Sequence, residues 1–142
     1  MANELMSMNH EQTGMDVLTG GQATPYVSFQ VETKADQLKL YNAMNSPEYR
    51  LADMINKPIN MVDALLIPTG IVNQETGEYN EAVRSIIIDD QGRTYAATAT
   101  GIMSSLRNMY NVFGSLHFDD PITVVVKQVA VKRGNTLTLV LG

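Results

Sequence analysis

The sequence contains no cysteine. Disulfides, thiolate metal sites and cysteine nucleophiles are excluded with it, and the absence fits an intracellular protein. Histidine is nearly missing too. His10 and His117 are the only two, and they stand in no metal-ligand spacing such as H-x-x-x-H. No apolar run approaches the roughly 18 residues that cross a bilayer, so no membrane is expected as a partner. Residues 1–14 are polar and acidic, without the basic start and apolar stretch of a secretory signal, and the expected compartment is a cytoplasm. Cations are in deficit: 10 Lys and Arg against 15 Asp and Glu leave a net charge of -5. That balance argues against indiscriminate duplex binding through a strong basic field. It leaves open the binding of single strands, where a local basic groove and aromatic stacking suffice.

The chain also lacks the phosphate-binding and nucleophile motifs G-x-x-x-x-G-K-[ST], G-x-G-x-x-G and G-x-S-x-G. Asp89-Asp90 and Asp119-Asp120 are the acidic pairs with which an enzyme would hold Mg2+ for phosphoryl transfer. Both occur in turn-forming sequence, where aspartate bonds its own backbone. No enzymatic activity, cofactor or metal is expected.

What is present is enough for one domain with a core: 142 residues, 44% hydrophobic. Residues 1–24 show no period and read as a flexible N-terminal arm, either a free terminus or a segment that docks on a neighbouring subunit. Residues 25–142 read as one domain, with 25–57 as an N-terminal extension. In it, Val27, Phe29 and Val31 alternate with Ser28, Gln30 and Glu32 in a half-buried strand. Thr33-x-x-Asp36 then opens a helix with Leu38, Tyr41 and Met44 at helical spacing. Ser46-Pro47 stops it before a short helix holding Leu51, Met54 and Ile55.

From Pro58 the pattern becomes regular. Strands are predicted over 59–67, 83–88 and 93–98, with a polar connection at 69–81 and a tight turn at Asp89-Asp90-Gln91-Gly92. The period then changes to helical through Ile102, Leu106, Met109, Tyr110 and Phe113, with Thr100 as N-cap and Gly114 as stop. Strands over 122–131 and 136–141 follow, the last turning Leu137, Leu139 and Leu141 inward. The order strand, strand, strand, helix, strand, strand is that of a five-stranded OB-like barrel, here spanning 58–142. The fold class is therefore mainly β with helices. A small open sheet covered by two helices is the rival arrangement.

On an OB barrel, ligands lie across the second and third strands, framed by the 1–2 and 4–5 loops. The first of these loops is 69–81 and carries Tyr79. The second is 132–135 and carries Lys132 and Arg133. Arg84 lies on the second strand, Arg93 and Tyr95 begin the third, and Lys127 projects from the fourth. Bases need flat partners and phosphates need cations. Tyr79, Arg84, Arg93, Tyr95, Lys127, Lys132 and Arg133 are thus the candidate nucleic-acid-binding residues. Each has a plainer role open to it: Arg84 as the solvated face of a strand, Tyr95 as a core residue, Lys132 and Arg133 as ordinary turn charges. Tyr110 and Phe113, on the apolar stripe of the helix, are expected in the core.

Three segments carry a family resemblance: Leu51-Ala-Asp-Met-Ile-Asn-Lys-Pro-Ile, Ile88-Asp-Asp-Gln-Gly-Arg-Thr-Tyr-Ala and Thr98-Ala-Thr-Gly-Ile-Met-Ser-Ser-Leu. From about Thr33 onward the chain resembles the small OB-fold single-stranded-DNA-binding proteins of bacteriophages, especially of phages infecting Gram-positive bacteria. The resemblance implies a non-enzymatic protein that coats and protects single-stranded DNA during phage replication in the bacterial cytoplasm, with little sequence preference. Replication proteins and further copies of the chain are compatible partners. Tail-mediated recruitment is not expected, because the chain ends on a strand rather than an acidic tail. The alternative is an OB-like interaction module that binds a host or phage protein, which the acidic surface and methionine-rich arm favour.

Overall fold

The computed structural model describes residues 25–72, 75–77, 79–132 and 134–142, with side chains described outside 70–72 and 79–81. The expected arm lies outside them. A long strand, β3 (Pro58–Val72), is the spine of the fold. Its first residues pair antiparallel with β6 (Ile122–Val131), as Pro58 with Val125 and Met61 with Ile122. The remainder pairs antiparallel with β4 (Tyr79–Asp89). The change of partner coincides with a register shift between Met61 and Asp63. A bulge there bends the strand and sharpens its twist, so one strand serves two walls and the sheet curls.

Two short strands, β1 (Tyr26–Val27) and β2 (Tyr49–Arg50), join β3, β4, β5 (Thr94–Ala97), β6 and β7 (Gly134–Leu141) in a seven-stranded sheet. Its order is β2-β5-β4-β3-β6-β7, with β1 paired to β3 off this path. The protein is mainly β, and its curled half-barrel is compatible with an OB-like fold. Among the described residues no ladder joins β5 to β7. The intervening helix α2 (Thr100–Phe113) lies along β7 and occupies that side instead. Its Ser105 Oγ accepts from the Leu139 amide at 3.1 Å and meets Thr138 Oγ1 at 2.8 Å, which satisfies an edge that a strand would otherwise pair.

Gly101 makes this approach possible. A Cβ at that position would run into the Leu137 carbonyl oxygen and lie 2.9 Å from Thr136 Oγ1, a backbone and a side-chain obstacle together. Gly101→Ala is therefore expected to lower stability by about 2 kcal/mol, the cost of overpacking a contact that cannot shift freely. Urea denaturation checks this, and an unchanged midpoint would refute the close approach.

The extension 25–57 has a clear structural role. Ile86, Ile87 and Ile88 are all buried, although neighbouring residues of a strand face opposite sides. Ile87 points into the main core with Leu51, Met61, Leu66, Ile102, Leu106 and Val124. Ile86 and Ile88 point to the outer face, where Val27, Phe29, Val31, Leu40 and Ala43 cover them. The uninterrupted isoleucine run is thus the signature of a strand buried on both sides. Helix α1 (Lys34–Asn45) supplies part of the cover. It is capped as expected, Thr33 Oγ1 accepting from the Asp36 amide and the Asp36 carboxylate accepting from the Thr33 amide, both at 3.1 Å.

The face of α1 differs from the sequence reading. Leu40 and Ala43 are buried, whereas Leu38 and Tyr41 are 53% and 63% exposed. Three further differences have local causes. Ala99, not Thr100, is the N-cap of α2 and gives no side-chain cap. Leu141 and Phe113 are exposed where their elements run past the core, Phe113 resting edge-on against Phe118. The polar connection 69–81 is largely β-ladder, since Thr69–Ala82 through Val72–Tyr79 continue the β3–β4 pairing. Among the described residues no helix is long and apolar enough to cross a membrane.

Candidate nucleic-acid interface

The β4–β5 turn organises one side of the candidate site. Asp89 N–H donates to the Arg93 carbonyl at 2.9 Å, and Gly92 takes the left-handed conformation (φ 79°) that closes the turn. Arg93 lies just beyond it, half exposed. Its Nε donates to Asp89 Oδ2 at 2.7 Å, and its Nη groups have no partner among the described residues. A cation anchored through Nε with its outer nitrogens free is well placed for phosphate.

Tyr95 is not exposed. Its residue is 4% accessible, and its hydroxyl donates to Asp89 Oδ2 at 2.8 Å. Burial first, then the hydrogen bond and charge of Asp89, push its pKa up to about 12. The stacking role considered for Tyr95 is corrected by this burial, because the ring belongs to the main core. The aromatic surface at this place belongs instead to Tyr49. β2 pairs parallel with β5, setting Tyr49 beside Tyr95. The two rings stack at 5.3 Å between centroids and 25° between planes. Tyr49 is 44% exposed, so one face of its ring lies on Tyr95 and the other is open. The sequence signal for Tyr49 was weak: a tyrosine two residues after Pro47, in a segment read only as the start of a short helix.

From Tyr49 the chain runs across to β6, where Ile55 bridges to Val126. A 3-10 turn, Leu51–Met54, buries Leu51 completely in the core. Asn56, in the left-handed conformation (φ 67°), donates its amide to the Val126 carbonyl at 2.7 Å. Its side-chain oxygen accepts from Lys127 Nζ at 3.0 Å. This strap links the Tyr49–Arg93 side to the β6–β7 ribbon. Arg50 and Lys57 lie on it, Arg50 bonded to Asp53 at 3.1 Å.

The outer part of the ribbon is open to solvent. Residues 127–132 are exposed, and the segment from Pro121 onward contains no acid. Lys127 and Lys132 lie on this exposed stretch, Lys127 with its Nζ on Asn56. Arg133 and the side chain of Tyr79 lie outside what the structure describes. Arg84 is partly buried, and its Nη1 donates to the Met44 carbonyl at 3.3 Å. It caps the C-terminal end of α1, a helix with no basic residue in its own last turn. The structure thus brings Arg93 together with Tyr49 and sets Lys127 at the far end of the strap. It places Arg84 on the outer face beneath α1.

One member of each acidic pair has a side-chain partner. Asp89 is enclosed by its own turn. Asp119 Oδ1 lies 2.9 Å from His117 Nε2. The described residues contain no cluster of three or more metal-ligating side chains. Beneath α1, a groove of about 410 Å³ lined by Lys39, Asn42, Ser46, Glu48 and Thr94 carries mixed charge and no aromatic face.

An exposed ring on a buried one, cations along a strap and an acid-free ribbon are the parts of a surface for single strands. The profile of the family described as phage single-stranded DNA-binding protein matches residues 21–142. The chain belongs to that family. Single-stranded DNA is accordingly its partner, and phage DNA replication its setting. No curated protein and no solved structure matches the chain. The family match includes β1, α1 and the strap, so the extension that covers β4 and presents Tyr49 belongs to the matched region.

Proposed function

We propose that the protein coats and protects single-stranded DNA during phage replication with little sequence preference, using an OB-like barrel. The observation that carries this reading is the Tyr49 ring, open on one face and seated on Tyr95 beside the half-exposed Arg93 guanidinium. An aromatic face accepts any base, and cations accept any phosphate, so such a surface discriminates little between sequences. The strand would run from Arg93 and Tyr49 along the strap to Lys127, Lys132 and Arg133, with Tyr79 on the neighbouring hairpin. Arg84 reaches this path only by leaving the end of α1. The acidic total charge keeps the cationic surface local and disfavours duplex, whose higher charge density needs a broader basic field.

Fluorescence anisotropy of labelled oligo-dT, with mixed-sequence, RNA and duplex competitors, tests the reading. Binding that duplex competes away as well as oligo-dT would overturn it. Salt dependence tests the ribbon. Each phosphate neutralised on a single strand contributes about 0.7 to the slope of log K against log salt concentration. Lys132→Ala with Arg133→Ala is expected to reduce the slope by about 1.4, and a slope unchanged from the native protein would remove the ribbon from the path.

A further inference from the structure

Asp89 is a buried acid on the cationic and aromatic side of the interface. Its side chain is 1% exposed. Oδ1 accepts from the amides of Gln91 at 3.0 Å and Arg93 at 2.8 Å. Oδ2 accepts from Arg93 Nε at 2.7 Å and from the Tyr95 hydroxyl at 2.8 Å. One carboxylate therefore sets the turn, the direction of the Arg93 guanidinium and the in-plane orientation of the Tyr95 ring. Tyr49 sits on a strand of only two residues. So short an edge pairing holds a side chain weakly, and the stacked Tyr95 ring is what fixes the Tyr49 plane.

We infer that Asp89 is a positioning residue for DNA binding: buried beneath the interface, it aims Arg93 and orients the Tyr95 ring on which Tyr49 presents its open face. The inference rests on the proposed roles of Tyr49 and Arg93. It has an unusual consequence in sign. A negative charge close to a DNA path opposes a polyanion, so removing it by simple electrostatics should tighten binding. A positioning role demands the opposite. Asp89→Asn retains the size of the side chain but sets an amide N–H2 among donors, so the contacts to the turn amides and those to the Arg93 guanidinium and Tyr95 hydroxyl cannot all survive. Asp90, adjacent in the turn and exposed, is the matched control, since its carboxylate holds neither Arg93 nor Tyr95.

The experiment compares native protein, Asp89→Asn, Asp90→Asn, Tyr95→Phe and Tyr49→Ala by oligo-dT anisotropy over a range of salt. Near-UV circular dichroism, which in a chain without tryptophan reports largely on its tyrosines, accompanies each titration. Asp89→Asn is expected to bind about tenfold more weakly, the equivalent of one base stack, and to lose part of the tyrosine dichroism. Asp90→Asn is expected to bind as tightly as the native protein or more tightly. Tyr95→Phe keeps the ring and the turn but frees the ring from Asp89, and is expected to bind about threefold more weakly, a fraction of that stack. Asp89→Asn binding as tightly as Asp90→Asn would overturn the inference. If Asp89→Asn does not fold, Tyr95→Phe decides, and native affinity in that variant overturns it. Native affinity in Tyr49→Ala would remove the underlying reading of the site as well. Weak binding by Tyr49→Ala with full binding by Asp89→Asn would remove the role of Asp89 alone.

Discussion

Replacing Tyr49 by alanine will weaken oligo-dT binding about tenfold, the loss of one stacked base, while leaving thermal unfolding nearly unchanged. The two halves of this expectation have separate causes. Tyr49 lies on an edge strand and is 44% exposed, so little buried apolar area is lost with its ring. Its open face is nevertheless the only large aromatic surface on the strap that joins Arg93 to Lys127. Tyr49→Phe keeps a flat ring and is expected to retain most of the affinity, and that separates stacking from a hydroxyl contact. The weakening should be similar at low and high salt, because a stack releases no counterions, in contrast to the ribbon lysines. Anisotropy titrations at two salt concentrations check this. A loss confined to low salt would assign Tyr49 an electrostatic role instead.

Asp63→Ala will destabilise the fold by about 3 kcal/mol, the low end of the cost of breaking a buried ion pair. Asp63 is 2% exposed on β3. Its carboxylate accepts from Ser28 Oγ at 2.8 Å and Lys39 Nζ at 3.2 Å, and lies 2.7 Å from His117 Nδ1. It thereby ties the β1 segment, α1 and the loop after α2 to the spine strand. Ser28 Oγ in turn accepts from the Ala64 amide at 2.9 Å. The low end is appropriate because Lys39 and His117 keep 41% and 44% of their side chains in water and resolvate when the partner is lost.

Part of this contribution depends on pH. The hydrogen bond to Asp63, with help from Asp119 and against partial burial, raises the His117 pKa above its ordinary value. A group with a raised folded-state pKa stabilises fully below its unfolded value, here about 6.5, and loses that contribution as pH rises through the folded value. The stability gap between native protein and Asp63→Ala should therefore narrow from mildly acidic to mildly alkaline pH, with Lys39 carrying what remains. Urea midpoints across that range check it. A gap that widens with pH would show that His117 is not the titrating partner.

Much of the element order was legible in the sequence because its signals are local. The Thr33–Asp36 capping box, the helical repeat of Ile102, Leu106 and Met109, and the stop at Gly114 (φ 79°) each act within a few residues. The long β3–β4 hairpin was read short. A backbone ladder needs hydrogen bonds but no alternating apolar pattern, so periodicity does not report this stretch. At the proposed site, Arg93 and Lys132 are legible as charges beside turns and Lys127 as a charge projecting from a strand. Tyr49 is not, because nothing local distinguishes an exposed tyrosine from one like Tyr95 that faces a core.

By itself, then, the sequence determined the mainly β character, the placing of the helices, the absence of thiol chemistry and a family whose profile matches residues 21–142. Local hydrogen bonding and periodicity encode the first two, and composition excludes the third. The tertiary structure alone decided which face each element buries. It turned Leu40 and Ala43 of α1 inward rather than Leu38 and Tyr41, sent Tyr95 into the core beneath Tyr49, and gathered Ser28, Lys39 and His117 around Asp63. Those choices depend on what lies opposite in space, and residues 24 to 54 positions apart in the chain become neighbours only when the sheet curls.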